Sequence, residues 1–319
     1  MKKWKVLDLS GIDHSPESFE SLLEIADLTR LAPTPQALEK HLPKSDAYFA
    51  GLKVRLTGDL IAASPRLRAV ATPSTGLDHL DLPALKQRGI ALISLKDETE
   101  FLGGITATAE LAWALLLAVV RKLPWAFDAA KQGVWARDRY RGHQISHKTL
   151  GILGYGRLGR IVAEYGQAFR MRVIAHDHRP ASPAPSVQMV DFDALLRESD
   201  FLSVHIHLTP ENTGLLDQQA FAKMKPGAVL INTSRGAIVQ EADLVQALES
   251  GRLGGAGLDV IHGEWNENLA DHPLIRYART HENLVISPHV GGVTFESQAM
   301  AFRFTAEKLA AFLRACDAV

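Results

Sequence analysis

Short apolar runs alternate with helix-spaced segments along this chain. A strand–glycine–helix junction lies near its middle, and the length is 319 residues. Together these predict an α/β protein of two Rossmann-like or flavodoxin-like domains, each a parallel doubly wound sheet, with a cleft between them.

In the first part, WKVLDL at 4–9 reads as a strand, followed by helical spacing over 16–30 and 34–41. DAYFAGL at 46–52, LRAVAT at 67–72 and IALISL at 90–95 read as further strands, with a short helix at 82–88 closed by Gly89. Two glycines in FLGGIT, 101–106, suggest a hinge. A fully buried helix is expected over 107–121, because the apolar run at 111–120 is too short to span a bilayer. Residues 122–146 are polar and mixed, which fits either an arm that packs on a second subunit or an ordinary surface connection.

The junction itself is Leu150-Gly-Ile-Leu-Gly154-Tyr155-Gly156-Arg157-Leu158-Gly159. A buried strand runs into G-x-G-x-x-G, and a helix-spaced segment follows to Phe169. In such a motif the first glycine makes the turn. The second lets backbone approach a pyrophosphate, and the third lets helix and strand pack closely. The helix start offers unpaired N–H groups and a positive dipole end. A second strand, MRVIAHD at 171–177, ends on Asp177, 18 residues past Gly159. A carboxylate there accepts hydrogen bonds from a ribose and repels a 2′-phosphate, so NAD is expected rather than NADP. The neighbouring Arg179 would tolerate that phosphate. Further strands are expected at 187–190, 201–206, 228–233, 255–260 and 284–287, with a surface loop at 180–185. The helix at 295–315 is expected to return to the N-terminal unit. The domains are therefore 1–101 with 292–319, for substrate, and 102–291, for NAD.

Composition removes several classes of function. A net charge of −1 gives no basic surface for nucleic acid or membranes. One cysteine, Cys316, excludes a disulfide framework within the chain and fits a reducing compartment. No signal peptide follows the N-terminal lysines, so a cytoplasmic location is expected. No metal site is expected.

Ligands of doubly wound sheets bind beyond the carboxyl ends of strands, and three residues fall there. Arg235 follows AVLINT, and its planar guanidinium suits a carboxylate. His289 follows LVIS, and histidine is the side chain suited to proton exchange near neutral pH. Glu264, in the loop after GAGLDV, would favour an imidazolium beside it. Each alone reads as an ordinary salt-bridge, structural or solvated residue. Their common placement is what points to chemistry.

These segments resemble the D-isomer-specific 2-hydroxyacid dehydrogenases. The resemblance runs through STGLDHLDL (74–82), TAELAWALLLAVVRK (108–122), KTLGILGYGRLGR (148–160), VHIHLTPENTG (204–214), MKPGAVLINTSRGAIV (224–239), GLDV with Glu264 (257–264) and SPHVGG (287–292). It implies that Arg235 binds the carboxylate and carbonyl of a 2-oxo acid. His289 would be the general acid, oriented by Glu264. The backbone at Ser74, Thr75 and Gly76 would grip the carboxylate. Cofactor contacts are implied at Thr108, the 154–159 loop, Asp177, His205, Thr233 and Asp259. The implied reaction is hydride transfer between NAD(H) and a 2-hydroxy or 2-oxo acid, by a homodimer. Departures are Trp265 and His207, each where proline is usual. Glu264 argues against the formate dehydrogenase branch, which pairs its histidine with glutamine. Lys53, Arg55 and Arg141 read as solvated rather than phosphate-binding. An NAD-sensing corepressor-like protein on the same scaffold is the alternative, and a protein for another nucleotide such as S-adenosylmethionine is a weaker one.

Overall fold

A computed structural model describes residues 3–11, 16–179, 183–266 and 268–317. The start of the expected surface loop at 180–185, residues 180–182, lies outside the described residues. The chain divides into two compact units, 1–104 with 294–319 and 105–293.

The first unit is a five-stranded parallel sheet of order β2-β1-β3-β4-β5. Its strands are β1 (Trp4–Asp8), β2 (Ala26–Arg30), β3 (Ala47–Phe49), β4 (Ala69–Thr72) and β5 (Ala91–Ser94). β2 corrects the helix expected over 16–30, where helical turns stop at Leu23. β2 pairs only with β1 and buries only Ala26, so a half-exposed edge strand left little apolar pattern to read. The last helix, Phe295–Asp317, does return to this unit. It buries Phe302 against the rings of Phe19 and Phe49, with centroids 6.2 and 5.6 Å away.

The second unit is a seven-stranded parallel sheet of order β12-β11-β10-β9-β6-β7-β8. Its strands are β6 (Thr149–Leu153), β7 (Arg172–His176), β8 (Val187–Met189), β9 (Phe201–Val204), β10 (Ala228–Asn232), β11 (Leu253–Leu258) and β12 (Leu284–Ile286). The strand order reverses between β6 and β9, which creates a crevice at their carboxyl ends. β6, β9 and β10 are buried along their whole length, as strands covered on both faces must be.

The stretch Thr99–Val120 has the length and apolarity of a membrane span, with a mean hydropathy of 1.7. It folds as two helices broken at Gly103-Gly104, Thr99–Leu102 and Ala107–Val120. The second buries eight residues and packs on β10 and β11. Glycines make that approach possible, since a Cβ on Gly255 would lie 2.5 Å from Val119 Cγ1. The helix is not fully buried as expected: Glu110 and Ala114 face outward. Within 122–146, expected as an arm or a surface connection, residues Leu123–Lys131 form a helix with no buried residue.

Candidate active site

The glycine loop carries three different constraints. Gly154 has φ +97°, and a Cβ there would sit 2.7 Å from the His205 carbonyl oxygen. A Cβ on Gly159 would lie 2.1 Å from the Gly154 oxygen, so the loop closes on the helix only with glycine there. Gly156 is different: a Cβ on it would meet no protein atom within 4 Å. That open position caps helix Arg157–Ala168, and no side chain caps its first N–H groups. An anion fits there.

Asp177, at the end of β7, takes the Tyr155 N–H on Oδ2 at 2.8 Å and the Arg179 N–H on Oδ1 at 2.9 Å. It thereby ties the glycine loop to the next turn, and each oxygen keeps a lone pair for a ribose hydroxyl. The Tyr155 ring is buried beneath the loop, with the Arg160 guanidinium 4.6 Å over it. Arg157 reaches back to the Ile105 carbonyl at 2.5 Å, and burial lowers its pKa.

Two polar atoms beside the switch point lack partners among the described residues. The Thr233 hydroxyl, just past β10, is one, and His205 Nδ1, just past β9, is the other. His205 Nε2 lies 2.8 Å from Ser203 Oγ, and burial pushes its imidazole down to about 4, so it is neutral at physiological pH. Buried polar groups without partners are uncommon. With the open Gly156 position and Asp177, they fit a dinucleotide at this edge of the sheet.

Glu264 and His289 stand past β11 and β12. His289 Nδ1 is 2.6 Å from Glu264 Oε1, and each side chain is only 17% exposed. His289 has φ +54°, a left-handed conformation that costs a residue other than glycine about 1 kcal/mol. Asp259, buried at the end of β11, holds that conformation. Its carbonyl accepts the His289 N–H at 2.8 Å. Its carboxylate accepts from Ser287 Oγ at 2.6 Å, Val290 N at 2.9 Å and Gly291 N at 2.8 Å. Burial raises the Asp259 pKa against those hydrogen bonds. Thr108 closes the other side of Gly291, where a Cβ would lie 3.2 Å from its Cγ2.

Arg235 follows β10 in an extended conformation. The Asn232 side chain shapes its turn, donating to the Arg235 carbonyl at 2.9 Å and accepting the Ser234 N–H at 3.0 Å. A Cβ on Gly236 would lie 2.1 Å from the Ile261 carbonyl carbon, so this turn lies flush against the loop that carries Glu264. Ends of three adjacent strands, β10, β11 and β12, thus present Arg235, Glu264 and His289.

In the first unit, Ser74 Oγ accepts the Gly76 N–H at 3.1 Å and donates to its carbonyl at 3.0 Å, a tight turn that includes Thr75. Lys53 and Arg55 are exposed, and Arg141 reaches Asp138 at 3.4 Å. The His207 carbonyl takes the Asn212 amide at 2.6 Å.

Sequence reasoning missed the clamp on the Glu264 loop. Glu241 Oε1 accepts the His262 N–H at 2.7 Å, while Oε2 lies 3.2 Å from His272 Nε2. Burial raises the Glu241 pKa. These residues lie far apart in sequence and carry no motif. The Trp265 ring stacks on that of His289, a contact also missed although the departure from proline singled out that position.

A family model described as D-isomer specific 2-hydroxyacid dehydrogenase, NAD binding domain, matches residues 113–291. The chain is 36% identical over 271 residues to the D-3-phosphoglycerate dehydrogenase of Mycobacterium bovis, covering 84% of this chain and 49% of that one. It is 37% identical over 313 residues to the glyoxylate reductase of Aeropyrum pernix, covering 93% of this chain and 90% of that one. The crystal structure of D-lactate dehydrogenase from Aquifex aeolicus, complexed with NAD and lactic acid, matches with a TM-score of 0.85 at 27% identity. That match covers 98% of this chain and 96% of the other. The chain spans about half the length of the curated phosphoglycerate dehydrogenases it matches.

Proposed function

The chain belongs to the D-isomer-specific 2-hydroxyacid dehydrogenase family, and we propose on that premise that it interconverts a 2-oxo acid and its D-2-hydroxy acid with NAD(H). The observation that carries this is the contact of 2.6 Å between His289 and Glu264, on a histidine held in a left-handed conformation. A surface ion pair has no need of such a backbone, whereas a proton donor aimed at a fixed point does.

When bound, the reduced nicotinamide supplies the hydride. The glycine loop and the start of helix Arg157–Ala168 hold the pyrophosphate, and Asp177 holds the ribose. Thr108, His205, Thr233 and Asp259 line the remaining cofactor contacts. Arg235 pairs with the substrate carboxylate and polarises its carbonyl. Ser74, Thr75 and Gly76 supply backbone N–H groups for the carboxylate, and residues 1–101 with 292–319 form the substrate domain. Glu264 accepts the Nδ1 proton of His289, which leaves Nε2–H to protonate the carbonyl oxygen as it becomes an alkoxide. In the oxidative direction Nε2 takes that proton back.

A 2-oxo acid panel with NADH and NADPH, followed by loss of nicotinamide absorbance, tests the assignment on wild type and on His289→Ala. Turnover by wild type and its loss in the variant are expected. No turnover of any 2-oxo acid, or full activity in His289→Ala, would show the assignment to be wrong.

The functional form is a homodimer. Helix Leu123–Lys131 leaves Leu123 and Phe127 exposed, Val134 follows, and Trp135 is 88% exposed. So many large apolar groups on one arm favour a second copy as their cover. Light scattering should give a dimer for wild type and a smaller species for Trp135→Glu. A monomeric wild type would remove the dimer from the account.

A further inference from the structure

The turn His262–Asn266 places two consecutive side chains on one imidazole. Gly263 has φ +71°, and the Asn266 N–H closes on its carbonyl at 2.9 Å. Glu264 then meets the edge of His289 at Nδ1, and Trp265 meets its face. The indole and imidazole centroids are 5.7 Å apart, with 28° between the planes. This is an offset stack, and it lies inside the range in which a cation over an indole is attracted to the ring quadrupole. Among the described residues, Glu264 meets His289 at Nδ1, and the Asp259 carboxylate holds the two following N–H groups. Trp265 is 45% exposed, far more than a residue kept only for the core. A proline at this position would offer no such face.

We propose that Trp265 is a positioning residue for His289: its indole holds the imidazole in the plane that meets Glu264 and favours the imidazolium over the neutral ring. This rests on His289 being the proton donor. The carboxylate fixes the ring edge and the indole fixes its tilt, so Nε2 stays aimed while the ring gains and loses charge. No bond is made to Trp265.

The test begins without turnover. An imidazolium quenches a stacked indole more than a neutral imidazole does. The chain has five tryptophans, so the emission of Trp265 is read as wild type minus Trp265→Phe. That difference should fall as pH falls, and the fall should vanish when the same pair is compared in a His289→Gln background. With a 2-oxo acid as substrate, the basic limb of the kcat/KM profile should move to lower pH by about half a unit in Trp265→Leu. Trp265→Phe, which keeps an aromatic face, should move it less. A difference emission that ignores pH overturns the proposal. So does a Trp265→Leu profile whose limb stays in place while activity falls, because packing alone would do that. Failure of wild type to turn over any 2-oxo acid would instead sink the dehydrogenase assignment, and the emission titration would still decide the stack.

Discussion

Removing the Glu264 carboxylate isolates what it does for His289. The contact is 2.6 Å long and both side chains are largely covered. A short hydrogen bond with an ionised partner contributes about 1.5–3 kcal/mol net. Because that interaction keeps His289 charged and aimed before it gives up its proton, Glu264→Ala should lower kcat/KM for 2-oxo acid reduction by about ten- to a hundredfold. Glu264→Gln keeps an acceptor but loses the charge, so it should fall between the two. Both variants should shift the basic limb of the reduction profile to lower pH, since the imidazolium loses its counter-charge. NADH affinity, read by energy transfer from tryptophan to the nicotinamide, should not change, because the glycine loop and Asp177 are untouched. Steady-state rates across pH, with NADH titrations on the same preparations, measure all of this. Wild-type kcat/KM and an unmoved pH profile in Glu264→Ala would refute the reasoning.

Two further perturbations probe the cofactor edge of the sheet. Asp177→Ala removes the charge that disfavours a 2′-phosphate, so the NADH-over-NADPH ratio of kcat/KM should fall by about tenfold or more; an unchanged ratio would remove Asp177 from the ribose site. His205 supplies a pH dependence of stability. Its folded-state value of about 4 lies below the ordinary 6.5. Its contribution is therefore present above pH 6.5 and is lost as pH falls toward 4, by up to about 3 kcal/mol. Denaturant unfolding of His205→Gln should show a weaker loss across that window, and equal slopes for variant and wild type would contradict the burial of a neutral ring.

What the sequence made legible followed the strength of local pattern. β6, the glycine turn and its helix could be read because Gly154 and Gly159 each answer a separate steric demand, while Gly156 leaves the helix start open. Arg235, Glu264 and His289 could be read because each follows an apolar strand. β2 could not, since an edge strand with one buried residue has almost no periodicity. Helix Leu123–Lys131 was hidden for another reason: none of its residues is buried, and its apolar side chains Leu123 and Phe127 face outward among polar neighbours. The left-handed φ of His289, the Asp259 hydrogen bonds that hold it, and the Glu241–His272 clamp are all products of tertiary approach. Spacing along the chain carries no trace of them. Trp265 lies between these cases. Its oddity was visible in the sequence, while its purpose depended on a turn that brings it over a residue 24 positions away.

Hydride transfer itself is the central claim, and an isotope reads it directly. The enzyme is given NADH deuterated at C4 on the transferred face, together with the best 2-oxo acid of the panel, and the product is examined by mass and by chiral chromatography. The expected product is a 2-hydroxy acid with one deuterium on C2 and the D configuration. A product without deuterium, or one of L configuration, would contradict the account.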